Sequence, residues 1–176
     1  MGVDMGLLQR LFGNDDGSAA VRPLYDAVVA QARDPLWYQD GGVADTMDGR
    51  FDMVSAVFAL VMIRLETLDD DAAKPVVTLL TETFVRDMDG QLRQIGFGDV
   101  GLGKHVGKMV SALGGRLGAY RDAFAGRGDL AQALTRNLYR DAVPSESALA
   151  FSVERLSALH TRFAERSLAD LLAAKL

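Results

Sequence analysis

The densest run of chemistry-bearing residues is Arg86 to Met109, RDMDGQLRQIGFGDVGLGKHVGKM. Gly98, Gly103 and Lys104 match the phosphate-loop spacing G-x-x-x-x-G-K, and Gly96, Gly98 and Gly101 overlap it as G-x-G-x-x-G. In a working phosphate loop, backbone N–H groups surround the phosphates, the lysine reaches their outer oxygens, and a following Ser or Thr holds magnesium. His105 stands at that last position, and imidazole is a poor ligand for a hard cation that prefers oxygen. Both motifs also need a buried strand before them. Here Val77, Leu80, Phe84, Met88, Leu92 and Ile95 recur at helical spacing instead. No later apolar strand ending in Asp completes a magnesium site. The glycines therefore read as a helix–helix connection, with Gly96 as a C-terminal cap and Gly98 in a turn. Nucleotide binding through Gly98 to Lys104 is the rejected alternative.

Other reactive groups are sparse. Asp87, Asp89 and Asp99 invite acid–base or calcium readings, but their spacing does not fit the calcium loop. Arg86 and Arg93 are placed to pair with such carboxylates along a helix surface. There is no Gly-x-Ser-x-Gly and no Ser/His/Asp arrangement. The absence of cysteine removes disulfides, thiolate metal sites and a cysteine nucleophile, and fits a reducing compartment. His105 and His160 are too few and too far apart in sequence for a histidine metal centre, and His160 reads as a packing or surface residue. The expectation is a protein with no catalytic residue, no metal and no cofactor.

The elements that must position these residues are helices almost throughout, in a single compact all-α domain of about seven. A chain of 176 residues, 49% of them apolar, suits one domain with a real core. Residues 1–16 read as a flexible N-terminal segment with a short amphipathic patch (Leu7, Leu8, Leu11, Phe12) and no secretory signal. Residues 17–176 form the helical domain. Its first helix covers about Gly17 to Arg33, with Leu24, Val28 and Ala32 on one face, and Asp34-Pro35 ends it. The connection from Pro35 to Thr46 is long for a compact domain, and Trp37 and Tyr38 are expected to pin it. Asp45, Thr46 or Asp48 can cap the next helix, which continues to about Leu68. Within it, Phe51 to Leu65 is too short to span a bilayer and reads as a buried central helix. Asp69 to Asp71 open the following helix, where negative charge suits the dipole, and Pro75 is tolerated in its first turn. That helix runs to Ile95. Helices from about Val100 to Phe124 and from Asp129 to Arg140 follow, with Tyr139-Arg140 read as a helix end. After Pro144 a last helix spans Glu146 to about Lys175, bent near Ser167.

The 100–124 helix has two faces. Leu102, Val106, Met109, Leu113, Leu117, Tyr120 and Phe124 form an apolar stripe for the core. Roughly opposite lie Gly107, Ser111, Gly114 and Gly118, near Lys104 and Lys108. Glycine in a helix interior is about 1 kcal/mol worse than alanine, so the row implies a use. Close packing against another helix of the same domain is the simpler reading, and a docking groove for a partner helix is the functional one. The net charge is −5, yet residues 86–127 carry seven Lys/Arg against four Asp. That local excess would let a ribosome- or RNA-associated adaptor use this segment, although a solvated helix face explains it more simply.

Several segments resemble the ubiquinol–cytochrome c chaperone family, assembly factors for the cytochrome bc1 complex. They are LYDAVVAQARDPLWY from Leu24, GVADTMDGRFDM from Gly42, RDMDGQLRQIGFGDVGLGKHVGKM from Arg86, and GRLGAY from Gly115. The resemblance implies an all-helical, non-enzymatic chaperone that binds newly made cytochrome b. Implied partners are the ribosome exit region, the membrane surface and a small partner protein. A compact chain without a transit peptide looks like a bacterial member, peripheral at the cytoplasmic face of the membrane. By position, Asp45, Asp48, Gly49, Arg50, Phe51 and Asp52 fall in one family motif. Asp87, Met88, Asp89, Arg93, Gly96, Gly98, Asp99, Gly103 and Lys104 fall in the other, which Lys108, Gly115, Arg116 and Tyr120 continue. Gly114 departs from the bulky aromatic expected before the Gly-Arg pair. The client-binding residues expected on this basis are the small-residue row Gly107, Ser111, Gly114 and Gly118, flanked by Lys104, Lys108 and Arg116, with Arg93, Asp87 and Asp89 nearby.

Overall fold

The computed structural model describes residues 17–94, 99–140 and 142–176, apart from the side chains of 99–102. Gly96 and Gly98, the side chain of Asp99 and the N-terminal patch lie outside the described residues. Among those described there are helices and no strand: α1 (Ser18–Ala32), α2 (Leu36–Gln39), α3 (Met47–Thr67), α4 (Ala73–Gln94), α5 (Asp99–Phe124), α6 (Leu130–Asn137), α7 (Glu146–Ala164) and α8 (Leu168–Leu172).

Helix α3 is the axis of the fold. Its N-cap is Thr46, whose side-chain oxygen accepts from the Gly49 N–H at 3.1 Å. From Phe51 to Ile63 every residue is buried, as expected for a helix apolar all round. Helices α1, α4, α5 and α7 pack around it. Tyr25 and Phe84 lie against Phe58 at centroid distances of 6.5 and 5.1 Å. Each such buried large side chain contributes about 1.5–3 kcal/mol of apolar burial.

The connection after α1 is pinned by the residues expected to do it. Asp34 accepts from the Leu36 N–H and starts the single turn α2. Trp37 is fully buried and donates its indole N–H to the Gln31 carbonyl at 2.9 Å, and Tyr38 donates to the Ala32 carbonyl at 3.0 Å. The turn at Asp69–Asp71 opens α4, with Asp70 accepting from the Ala72 N–H. Asp129 caps α6 through the Gln132 N–H.

Two expectations need correction. The last helix is broken, not bent. It stops at Ala164, and Ser167 starts α8 with a reciprocal capping box to Asp170, a local hydrogen-bond set that outcompetes helix continuation. The 129–140 helix ends at Asn137, because Leu138 to Arg140 are committed elsewhere, with Arg140 in the left-handed region at φ 52.

Candidate functional site

Helix α5 is anchored by its C-terminal half. Leu113 and Tyr120 are buried, while Met109, Leu117 and Phe124 pack against the core from partly buried positions. Toward the N-terminus, Val106 is half-buried. Phe124 stacks on His160 of α7 at 4.0 Å, and burial lowers the imidazole pKa from its ordinary value.

The opposite face of α5 is open. Gly103, Lys104, Gly107, Lys108, Ser111, Gly114 and Gly115 are exposed and Gly118 is half-buried. A Cβ built on Gly103, Gly107, Gly114, Gly115 or Gly118 meets no heavy atom within 4 Å. Among the described residues nothing packs on this row, contrary to the simpler reading that another helix of the domain packs closely there. Val110, beside it, is one of few exposed large apolar side chains.

Arg116, expected to flank this face, is instead buried and points into the domain. Its guanidinium bonds the fully buried Asp52 carboxylate at 2.5 Å, reaches the Asn137 carbonyl at 3.3 Å, and lies 5.3 Å from the Phe51 ring centroid. Arg140 bonds the same carboxylate through Nε at 2.5 Å and reaches Asp48 at 3.0 Å. The group ties α3, α5 and the end of α6 together. Burial pushes the Asp52 pKa up, and the two arginines pull it back. Asp52 is thus a buried anchor of the fold, and Arg140, read in sequence only as part of a helix end, is its second partner. Tyr139, also read only as a helix end, donates to the Gly41 carbonyl at 2.6 Å and pairs with Ser152 at 2.8 Å. Tyr120 is fully buried, and its hydroxyl has no partner among the described residues.

The first motif is largely structural. Gly49 is needed because a Cβ there would lie 1.9 Å from the Ala44 carbonyl oxygen. Asp45 pairs with Arg50 at 2.7 Å on the surface. In the second motif, Asp87 accepts from the Tyr25 hydroxyl at 2.8 Å and from Gln91 at 2.9 Å. Burial and this carboxylate push the Tyr25 phenol well above its ordinary pKa, keeping it a neutral donor. Asp89 pairs with Arg93 at 2.8 Å on the helix surface.

These bonds also change the meaning of the basic excess in residues 86–127. Arg93, Arg116, Arg121 and Arg127 are matched by Asp89, Asp52, Glu66 and Asp122. Lys104 and Lys108 have no ion pair to any described residue. The segment offers two lysines on an open helix face and not a continuous basic patch. Gly103 and Lys104 lie inside α5, so no loop surrounds a phosphate there. Among the described residues no His, Cys, Asp and Glu cluster could hold a metal ion, and no helix is long and apolar enough to cross a membrane.

Fold and site together define an all-helical domain locked by internal ion pairs, with one long helix left bare along a lysine-flanked row of small residues. The family model for the ubiquinol-cytochrome C chaperone matches residues 39–175, and the chain belongs to that family. The crystal structure of the Cbp3 homolog from Brucella abortus is similar, with 30% identity, a TM-score of 0.77, and coverage of 96% of this chain and 94% of that one. Comparison with curated proteins gives no match.

Proposed function

We propose that this chain is a non-enzymatic assembly chaperone of the ubiquinol–cytochrome c reductase complex, and that its client is newly made cytochrome b. Family membership supports the assembly role. The observation that carries the site is the uncovered face of α5, where five glycines meet open space. Glycine at these positions serves no packing purpose within the domain. A row of small side chains lets a second helix approach its backbone closely, as between membrane helices. An apolar client helix laid on this row needs cover until it is inserted.

Lys104 and Lys108, at the edge of the row, would contact acidic client loops or anionic lipid headgroups, each worth about 1 kcal/mol at a charged membrane surface. The protein would then work peripherally at the cytoplasmic face, near the ribosome exit, with or without a small partner protein. The test is co-purification. Cytochrome b should be recovered with the wild type and lost with Lys104→Glu/Lys108→Glu, whose exposed positions leave the fold intact. Equal recovery with both removes the α5 face as the client site.

A further inference from the structure

A cleft lies away from α5, where α1, the start of α3 and α4 meet. A cavity of about 340 Å³ opens there, within the range of ligand pockets. One side of it is apolar, formed by Val29, Met47, Phe51, Val54 and Met88, and the rest is polar, formed by Arg33, Asp45, Thr46, Arg50, Asp87 and Gln91. Met47 is 47% exposed, one of the few large apolar side chains left in solvent. Two further hollows adjoin it, one toward Tyr38 and one along α1 toward Arg22, and Arg33 lines all three. No residue of α5 lines any of them, so this site stands whether or not the α5 face holds a client.

The cations around the cleft are paired with one exception. Arg50 is bound to Asp45, and Arg22 to Asp26 at 2.8 Å. Asp87 accepts from the neutral donors Tyr25 and Gln91, which satisfy its oxygens and leave its charge in place. The Arg33 guanidinium has no hydrogen bond or ion pair to any described residue. Its place at the C-terminus of α1 suits a cation, yet that leaves its planar fork of donors unused. We propose that this cleft binds a protein segment of acidic–apolar type, one large apolar side chain entering the cavity beside Met47 and Met88 while a neighbouring carboxylate takes the Arg33 fork. Complementarity to the Arg33 fork selects a carboxylate on the segment, because Arg33 lines all three hollows and is the cation there without an ion pair, and a bidentate guanidinium–carboxylate pair supplies register. The volume of the cavity suits a bulky side chain beside it.

The experiment uses the full-length protein with 13C-labelled methionine methyls, read by NMR. The probes are the blocked tetrapeptide Glu-Leu-Phe-Glu, its neutral counterpart Gln-Leu-Phe-Gln, and phosphatidylglycerol vesicles. The acidic peptide should shift the Met47 and Met88 methyls and leave Met53, Met62 and Met109 in place. Arg33→Gln, at an exposed helix end, should keep the thermal midpoint and weaken the peptide by about tenfold, as should neutralising the peptide. The proposal is overturned by no shift at Met47 and Met88, by equal response to both peptides, by indifference to Arg33→Gln, or by a response to vesicles with none to peptide.

Discussion

Replacing Gly107 and Gly114 with alanine should make this protein more stable and a poorer chaperone. Both residues lie in the interior of α5, both are exposed, and an added Cβ at either meets nothing within 4 Å. The methyl groups therefore gain helix propensity with no steric penalty, about 1 kcal/mol each. The sites are seven residues apart, about 10 Å along the helix, so the two gains should add to about 2 kcal/mol. For a domain of this size that raises the midpoint of thermal unfolding by roughly 4–8 °C. Circular dichroism at 222 nm, an α-helix signal by convention (about 222 nm), reads the shift directly. Gly49→Ala is the opposite control: its Cβ would collide with the Ala44 carbonyl at 1.9 Å, so the midpoint must fall. The same Gly107→Ala/Gly114→Ala pair holds a client helix farther from the α5 backbone and should lower recovery of cytochrome b. A midpoint that falls or stays put in the pair refutes the reasoning, because it means that something in the domain already covers this face.

Asp52→Asn leaves Arg116 buried without its counter-charge and should cost about 3–5 kcal/mol, seen as a lower urea midpoint. Tyr139→Phe removes the hydroxyl that joins Gly41 to Ser152 and should cost about 1–3 kcal/mol in the same assay. His160 gives a pH dependence. Burial lowers its pKa in the folded state below the ordinary 6.5, so the unfolded chain takes up the proton more readily. Its contribution is complete above that value and is lost as pH falls through it. His160→Phe, which keeps a ring beside Phe124, should flatten the stability slope between about pH 7.5 and about pH 5, and an unchanged slope would exclude the assignment.

What was legible in the sequence is what local spacing controls. Asp129 announced a helix start, and the group Asp45, Thr46 and Asp48 announced another whose cap is Thr46, because capping is a contact across three residues; Phe51 to Leu65 announced a central helix because it is apolar on nearly every side. The family resemblance, carried by the 86–109 segment, placed the chain among the ubiquinol–cytochrome c chaperones. What was not legible depends on residues far apart. Asp52 and Arg116 are separated by 64 positions, and nothing in the composition of either neighbourhood names the other. The same holds for Arg140 and Tyr139, whose partners lie on α3, on α7 and in the loop after α2. Covered and bare glycine rows share one sequence pattern, so Gly107, Gly114 and Gly118 read either as internal packing or as a docking groove until the surroundings of α5 were known. The cleft at Arg33 was invisible for the same reason, since Val29, Met47 and Met88 come from three separate helices.

The central claim is that newly made cytochrome b depends on this protein. The most direct measurement is pulse-labelling of cytochrome b in a strain deleted for the gene, followed through a chase. The account predicts normal synthesis, then loss of labelled cytochrome b before it enters the ubiquinol–cytochrome c reductase complex, with restoration by the wild-type gene. Labelled cytochrome b that survives the chase and assembles at the normal rate in the deleted strain would contradict it.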